Sequence, residues 1–145
     1  MFDRFNFRAF CHATEELDRV KQALARISGG EVQEEARGRG HFGNPIIIMK
    51  VEVVRKREVR AAWERISSQL DLNMLHGELD DRLDESNVFH LRFDKQRAYL
   101  GDVITISPGF PGDVIDMRAK VVTHPRSRDA AIRFLTELCM SDQTV

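Results

Sequence analysis

The sequence predicts an α+β fold, a two-layer sandwich in which helices cover one face of a largely antiparallel sheet, in the order β-α-β-β-α-β-β-β-α. Several short segments alternate apolar and polar residues with a period of two, as strands covered on one side do. Other segments repeat their apolar residues at helical spacing, which makes one buried stripe per helix. The links between alternating segments are short and hold glycine and proline, which favours hairpins over the long crossovers that parallel strands require.

The first strand covers Phe5 to Ala13, where Phe5, Phe7, Ala9, Cys11 and Ala13 share one face and Asn6, Arg8, Phe10 and His12 the other. Thr14 is the expected N-cap of the helix that follows, with Glu15, Glu16 and Asp18 placed at the positive end of its dipole. Leu17, Val20, Leu24 and Ile27 form its stripe, and Gly29-Gly30 its stop. Glu31 to Arg39 and Ile46 to Val54 read as two strands joined by the glycine-rich run RGRGHFGNP from Arg37 to Pro45. From Arg57 the period changes, and Val59, Ala62, Trp63, Ile66 and Leu70 define a second helix that frays past Leu72.

An acidic connector, HGELDDRLDES, then holds one basic residue against five acidic ones and reads as a solvated loop or a short helix. Three strands follow, Val88 to Asp94, Ala98 to Ile106 and Asp113 to Thr123, with Pro108-Gly109-Phe110-Pro111-Gly112 as the turn before the last. Pro125 ends that strand. Ser127 is the expected cap of a closing helix that carries Ile132, Leu135 and Leu138 on one side.

At 145 residues the chain is expected to form one domain, residues 1–145, with its own core. A net charge of −1 excludes coating of nucleic acid by bulk positive charge, so an anionic partner has to be met by local patches. Cys11 and Cys139 stand alone and far apart, which fits free thiols in a reduced compartment. Arg4 and Arg8 interrupt the start before any apolar run, and the longest apolar run, Pro45 to Met49, is far too short to span a bilayer. The expected location is the cytoplasm.

No phosphate-loop, dinucleotide, zincin or hydrolase motif occurs, and His12, His41, His76, His90 and His124 are scattered singly. No cofactor, metal or catalytic residue is therefore expected. Asp94, Asp102, Asp113 and Asp116 are the one set to weigh for Mg²⁺-dependent phosphodiester cleavage. Asp113 and Asp116 differ by an odd number, however, and would point to opposite faces of a strand.

Basic residues are better organised. Arg37 and Arg39 sit in the glycine-rich run, Arg92, Lys95 and Arg97 around the end of one strand, and Arg118 and Lys120 on alternate positions of the last strand. Such clusters at the ends of neighbouring elements suit a phosphate backbone. Trp63, Phe5, Phe7, Phe89 and Phe93 are expected in the core. Phe10, Phe42, Tyr99 and Phe110 are harder to place inside, and any that is exposed is a stacking candidate.

Two stretches, HFGNPIIIMKVEV and FHLRFDKQRAYLGD, resemble an archaeal family described as predicted RNA-binding proteins and candidate exosome subunits. The fold of that family is similar to the large-subunit ribosomal protein that contacts the five-S RNA. His41, Gly43 and Asn44 match the first motif; Arg92, Asp94, Lys95, Gln96, Ala98, Tyr99 and Gly101 match the second. The resemblance implies a non-catalytic RNA-binding module within an RNA-processing, exosome-like or ribosome-associated assembly. In that reading Arg37, Arg39, Arg92, Lys95 and Arg97 hold phosphates, Asn44 and Gln96 bond to bases or sugars, and Tyr99 or Phe42 stacks. His41 is available beside them, and the loop after Arg37 and the turn Asp94 to Arg97 are expected to form one shared site at one end of the sheet. The alternatives are a protein-interaction adaptor that makes no direct RNA contact and, third, the Mg²⁺-dependent nuclease.

Overall fold

The computed structural model describes residues 1–39, 43–109 and 113–141. His41, Phe42 and Phe110, named above as contacts or stacking candidates, lie outside the described residues. The elements run β1 (Phe2–His12), α1 (Leu17–Ser28), β2 (Gln33–Arg39), β3 (Pro45–Val53), α2 (Lys56–Ser67), α3 (Leu72–Gly77), α4 (Leu79–Arg82), β4 (Val88–Asp94), α5 (Lys95–Tyr99), β5 (Val114–Val121) and α6 (Arg128–Ser141). The five strands form an antiparallel sheet in the order β2-β3-β1-β5-β4, so the fold is α+β with an open sheet.

The period-two pattern decides which sheet face is dry. Phe5, Phe7, Ala9 and Cys11 of β1, Met49, Val51 and Val53 of β3, Phe89, Leu91 and Phe93 of β4, and Ile115, Met117 and Ala119 of β5 are all buried. The stripes of α1 (Val20, Leu24, Ile27) and α2 (Val59, Ala62, Trp63, Ile66) are buried with them. Trp63 of α2 and Phe134 of α6 both meet the Phe2 ring, at centroid distances of 5.1 and 5.2 Å. Two helices from distant parts of the chain thus close over one end of the central strand.

The helix ends differ in detail from the sequence expectation. Thr14 is not the cap of α1: residues 12–15 form a tight turn in which the Glu15 amide bonds to His12 O and the Glu15 carboxylate accepts from the His12 amide, so the helix starts at Leu17 with Glu16 at its N-cap. Gly29 ends α1 in the left-handed conformation, φ 70°, as expected of a C-terminal glycine. Arg65 of α2 donates to Ile27 O at 3.0 Å there, placing positive charge at the negative end of α1. Ser127 caps α6, its Oγ accepting from the Ala130 amide at 3.0 Å.

The expected strand Ala98 to Ile106 is corrected. Asp94 accepts a hydrogen bond from the Arg97 amide at 2.9 Å and so starts a helix at Lys95, Ala98 is buried, and Gly101 at φ 92° turns the chain out of it. Beyond the turn the chain returns along β4 through a single bridge, Phe93 with Thr105, supported by Asp94 N to Ile104 O and Ile106 N to Arg92 O.

The acidic connector is a short helix, α4, built around its one basic residue. Arg82 is 3% exposed and donates to Glu78, to His90 O and to Ile106 O, at 3.3 Å and 3.0 Å for the two carbonyls. Leu79 and Leu83 are buried beside it, while Asp80 and Asp81 face solvent. Glu78 is turned inward to pair with Arg82, and the outer face carries Asp80 and Asp81.

Candidate nucleic-acid interface

Most outward residues of the sheet are exposed or half-buried, with no helix among the described residues covering them. The register lines them up in rows across the strands. His90, Arg118, Asn6 and Glu52 form one row; Arg92, Asp116, Arg8, Lys50 and Gln33 form the next. Arg4 and Lys120 pair on the other side of these, and Phe10 pairs with Ile48, which pairs with Ala36. A shallow depression of about 350 Å³ lies at the centre, bordered by Asn6, Arg8, Lys50, His90, Asp116 and Arg118.

Two of these cross-strand pairs join like charges directly, Arg8 with Lys50 and Arg4 with Lys120. Like charges opposite one another weaken a sheet. Carboxylates offset part of this: Glu35 accepts from Arg8 at 2.9 Å, Glu52 lies 3.5 Å from Lys50, and Asp3 accepts from Arg4 at 3.1 Å; on the neighbouring strands Asp116 lies 3.6 Å from Arg92. Arg118, exposed in the middle of the face, forms no ion pair among the described residues. At the β4 edge His90 meets Asp84 at 2.8 Å. Burial alone would raise the Asp84 carboxyl, but hydrogen bonds from His90, Val88 and Ser86 outweigh it and hold the group below the usual carboxylate range.

The residues expected to form a single shared site are placed as follows. Arg37 and Arg39 lie exposed on β2; Arg37 pairs with Glu34, and Arg39 donates to Gly43 O at 3.3 Å. Asn44 is exposed just before β3. Arg97 is exposed and pairs with Asp102 at 2.8 Å, and Gln96 is exposed on α5. Arg92 is half-buried in the row with Arg8. The ends of β2 and β4 do lie at the same end of the sheet, because Arg39 pairs with Pro45, Ile46 with His12 and Arg92 shares the row of Arg8. They are nevertheless the two opposite edges, four strand spacings or roughly 19 Å apart. The single shared site is therefore corrected to two separate corners with the open face between them.

Lys95 is also corrected. It is 3% exposed, and its ammonium donates to Phe10 O at 2.9 Å, to Glu15 at 2.8 Å and to Asp113, which uses all three of its N–H groups. It ties together the ends of β1, α5 and β5 and is not free to hold a phosphate. Tyr99 is half-buried beneath Arg19 and Arg26, whose guanidinium carbons lie 4.7 and 6.0 Å from the ring centre. Its stacking face is occupied by this chain's own arginines.

His12, Glu15 and Asp113 are the described residues whose donor atoms lie together as metal ligands would, within 4.8 Å of one another. The Lys95 ammonium already supplies positive charge to both carboxylates. Asp94, Asp102 and Asp116, weighed with Asp113 for Mg²⁺, have separate partners in the Arg97 amide, the Arg97 side chain and Arg92. Cys11 is buried, and burial with the nearby Glu15 charge pushes its thiol pKa up, away from reactivity. No helix among the described residues is long and apolar enough to cross a membrane.

Sequence reasoning named Arg92, Arg118, Lys120 and Phe10 but did not include Arg4, Arg8 and Lys50 as candidate contacts. The signal for Arg4 and Arg8 was present: both stand with Asn6 in the outward phase of β1.

A family model described as RNA binding matches residues 4–121. The chain is 34% identical over 139 residues to a Pyrococcus abyssi protein named RNA-binding protein PAB1135, covering 90% of this chain and 88% of that one. It is 36% identical over 113 residues to the uncharacterized protein MJ0213 of Methanocaldococcus jannaschii, covering 70% and 74%. Among solved structures, protein AF2318 from Archaeglobus fulgidus superposes with a TM-score of 0.83 at 33% identity, over 96% of this chain and all of that one. Mth689 from Methanothermobacter thermautotrophicus gives 0.84 at 27% identity, over 96% and 98%.

Proposed function

We propose that this chain, which belongs to the RNA-binding family, binds RNA across the uncovered face of its sheet, without catalysing a reaction on it. The observation that carries the placement is the pairing of like charges on that face, Arg8 opposite Lys50 and Arg4 opposite Lys120, with Arg118 exposed between them. A sheet keeps such pairs at a cost, and a phosphate lying between two cations turns the repulsion into attraction. The near-neutral whole fits the same reading, because an anionic partner then has to be met by a local patch, and this face supplies one.

Arg8, Lys50 and Arg118 hold phosphates in this reading, and Arg4, Arg92 and Lys120 extend the track along the strands. Asn44 at one corner and Gln96 and Arg97 at the other are secondary contacts that a longer RNA reaches, whereas Arg37 and Arg39 stand in the opposite phase of β2, paired with Ile47 and Pro45. Contacts of this kind position an RNA by its backbone and shape. A role as an accessory subunit of an RNA-processing, exosome-like or ribosome-associated assembly is the finer reading, supported by the motif resemblance.

Salt titrations of RNA binding test the site. Arg118→Ala and Arg8→Ala each weaken binding and lower the slope of log K against log salt by about one per phosphate contact removed. Wild-type affinity and slope in both variants would refute the placement on this face.

A further inference from the structure

We propose that the Phe10 end of the open face is a stacking platform for an unpaired base, so that the chain takes single-stranded or looped RNA in preference to continuous duplex. This rests on the sheet-face reading and adds the class of RNA.

Phe10 is an aromatic ring that the fold leaves outside the core, at 36% exposure, whereas Phe5, Phe7, Phe89 and Phe93 are completely buried. It stands in the outward phase of β1, the same phase as Arg8 and Asn6. Its cross-strand neighbour is Ile48, followed on β2 by Ala36; the next row holds His12, Ile46 and Gly38. Among the described residues the side chains shrink toward the β2 edge, from Phe10 through Ile48 to Ala36, which makes an apolar shelf.

Gly38 sharpens this. A Cβ added there would meet nothing within 4 Å, and its φ is not in the left-handed region. Neither packing nor backbone conformation calls for glycine at that strand position among the described residues. Glycine inside a strand also occurs where a ligand comes close to the backbone.

The row beside Phe10 holds Arg8 and Lys50, two residues or about 7 Å along the strands. A base lying on Phe10 would therefore send its own phosphate toward the paired cations. A continuous duplex keeps its base faces stacked inside the helix and offers none to a ring on such a surface. Lys95 is a positioning residue for this platform: its buried ammonium holds the Phe10 carbonyl and so fixes the strand beneath the ring.

The test compares a short mixed-sequence single-stranded RNA with the duplex it forms with its complement, bound by wild type, Phe10→Ala, Phe10→Trp and Arg118→Ala. Phe10→Ala should lose roughly five- to a hundredfold on the single strand, lose little on duplex, and unfold at the wild-type urea midpoint by Trp63 fluorescence; Phe10→Trp should retain binding. Wild-type single-strand affinity in Phe10→Ala, with Arg118→Ala weakened, overturns the platform and leaves the sheet-face reading standing. Equal losses on single strand and duplex overturn the platform as well. If neither Phe10→Ala nor Arg118→Ala moves, both readings fall.

Discussion

Replacing Lys95 with methionine separates a structural role from direct RNA contact. The substitution keeps most of the buried stem and removes the ammonium, leaving Phe10 O without its donor and Glu15 and Asp113 facing each other without a cation. Breaking a buried charge pair by removing one partner costs about 3–5 kcal/mol. Here the two carboxylates are 18% and 39% exposed, so water recovers part of the loss and the lower end of that range applies. About 3 kcal/mol in a chain of this size lowers the melting temperature by roughly 10 °C. Urea unfolding followed through Trp63, the single tryptophan and a core residue, reads the change directly. The salt slope of RNA binding, measured where the variant is folded, should stay at the wild-type value because no phosphate contact is lost. A wild-type unfolding midpoint combined with a shallower salt slope would show that the ammonium is spent on RNA, and the burial argument would be wrong.

Arg82→Ala should destabilise the chain by about 3–5 kcal/mol, because it strands Glu78 and two backbone carbonyls inside the fold; in the same urea assay Arg82→Lys recovers only part, since one ammonium cannot reproduce the guanidinium fork. Asp84 should give an acid-limb signature. Its folded carboxyl lies below the unfolded value, so its contribution is present above the unfolded pKa and is lost as pH falls through the folded one. Asp84→Asn should therefore be less stable than wild type at neutral pH, with the gap closing in acid; a gap constant with pH in denaturation curves would contradict this assignment.

Local pattern was enough for most of the fold because strand phase and helix stripe are local properties. Phe89, Leu91 and Phe93 alternate, and they are buried together; Leu24 and Ile27 keep helical spacing, and they pack on the sheet. The stretch after Asp94 was misread because its alternation is weak while two single residues decide the outcome. Asp94 supplies a cap and Gly101 a left-handed stop, and five residues between them form a helix. Thr14 failed as a cap for a related reason: the Glu15 carboxylate closes a turn back onto His12 before the helix begins.

The charges were harder, because what a charged side chain does depends on partners far away in the chain. Lys95 meets groups 80 and 85 residues before it, and Arg82 reaches a carbonyl 24 residues after it. One local clue was available for Lys95, which continues the inward phase of Phe89, Leu91 and Phe93 and so was aimed at the interior from the start. The stretch FHLRFDKQRAYLGD consequently turns out to be largely architectural: Asp94 caps, Lys95 is a buried tie, Ala98 packs and Gly101 turns. The residues on the proposed RNA face follow the opposite rule. Arg4, Arg8, Lys50 and Arg118 belong to no compact motif and are brought together only by strand register. The stretch after Val88 supplies the frame that holds β1 in place, and the chemistry of the proposed RNA face is set by what stands on the outward phase of that strand and its neighbours.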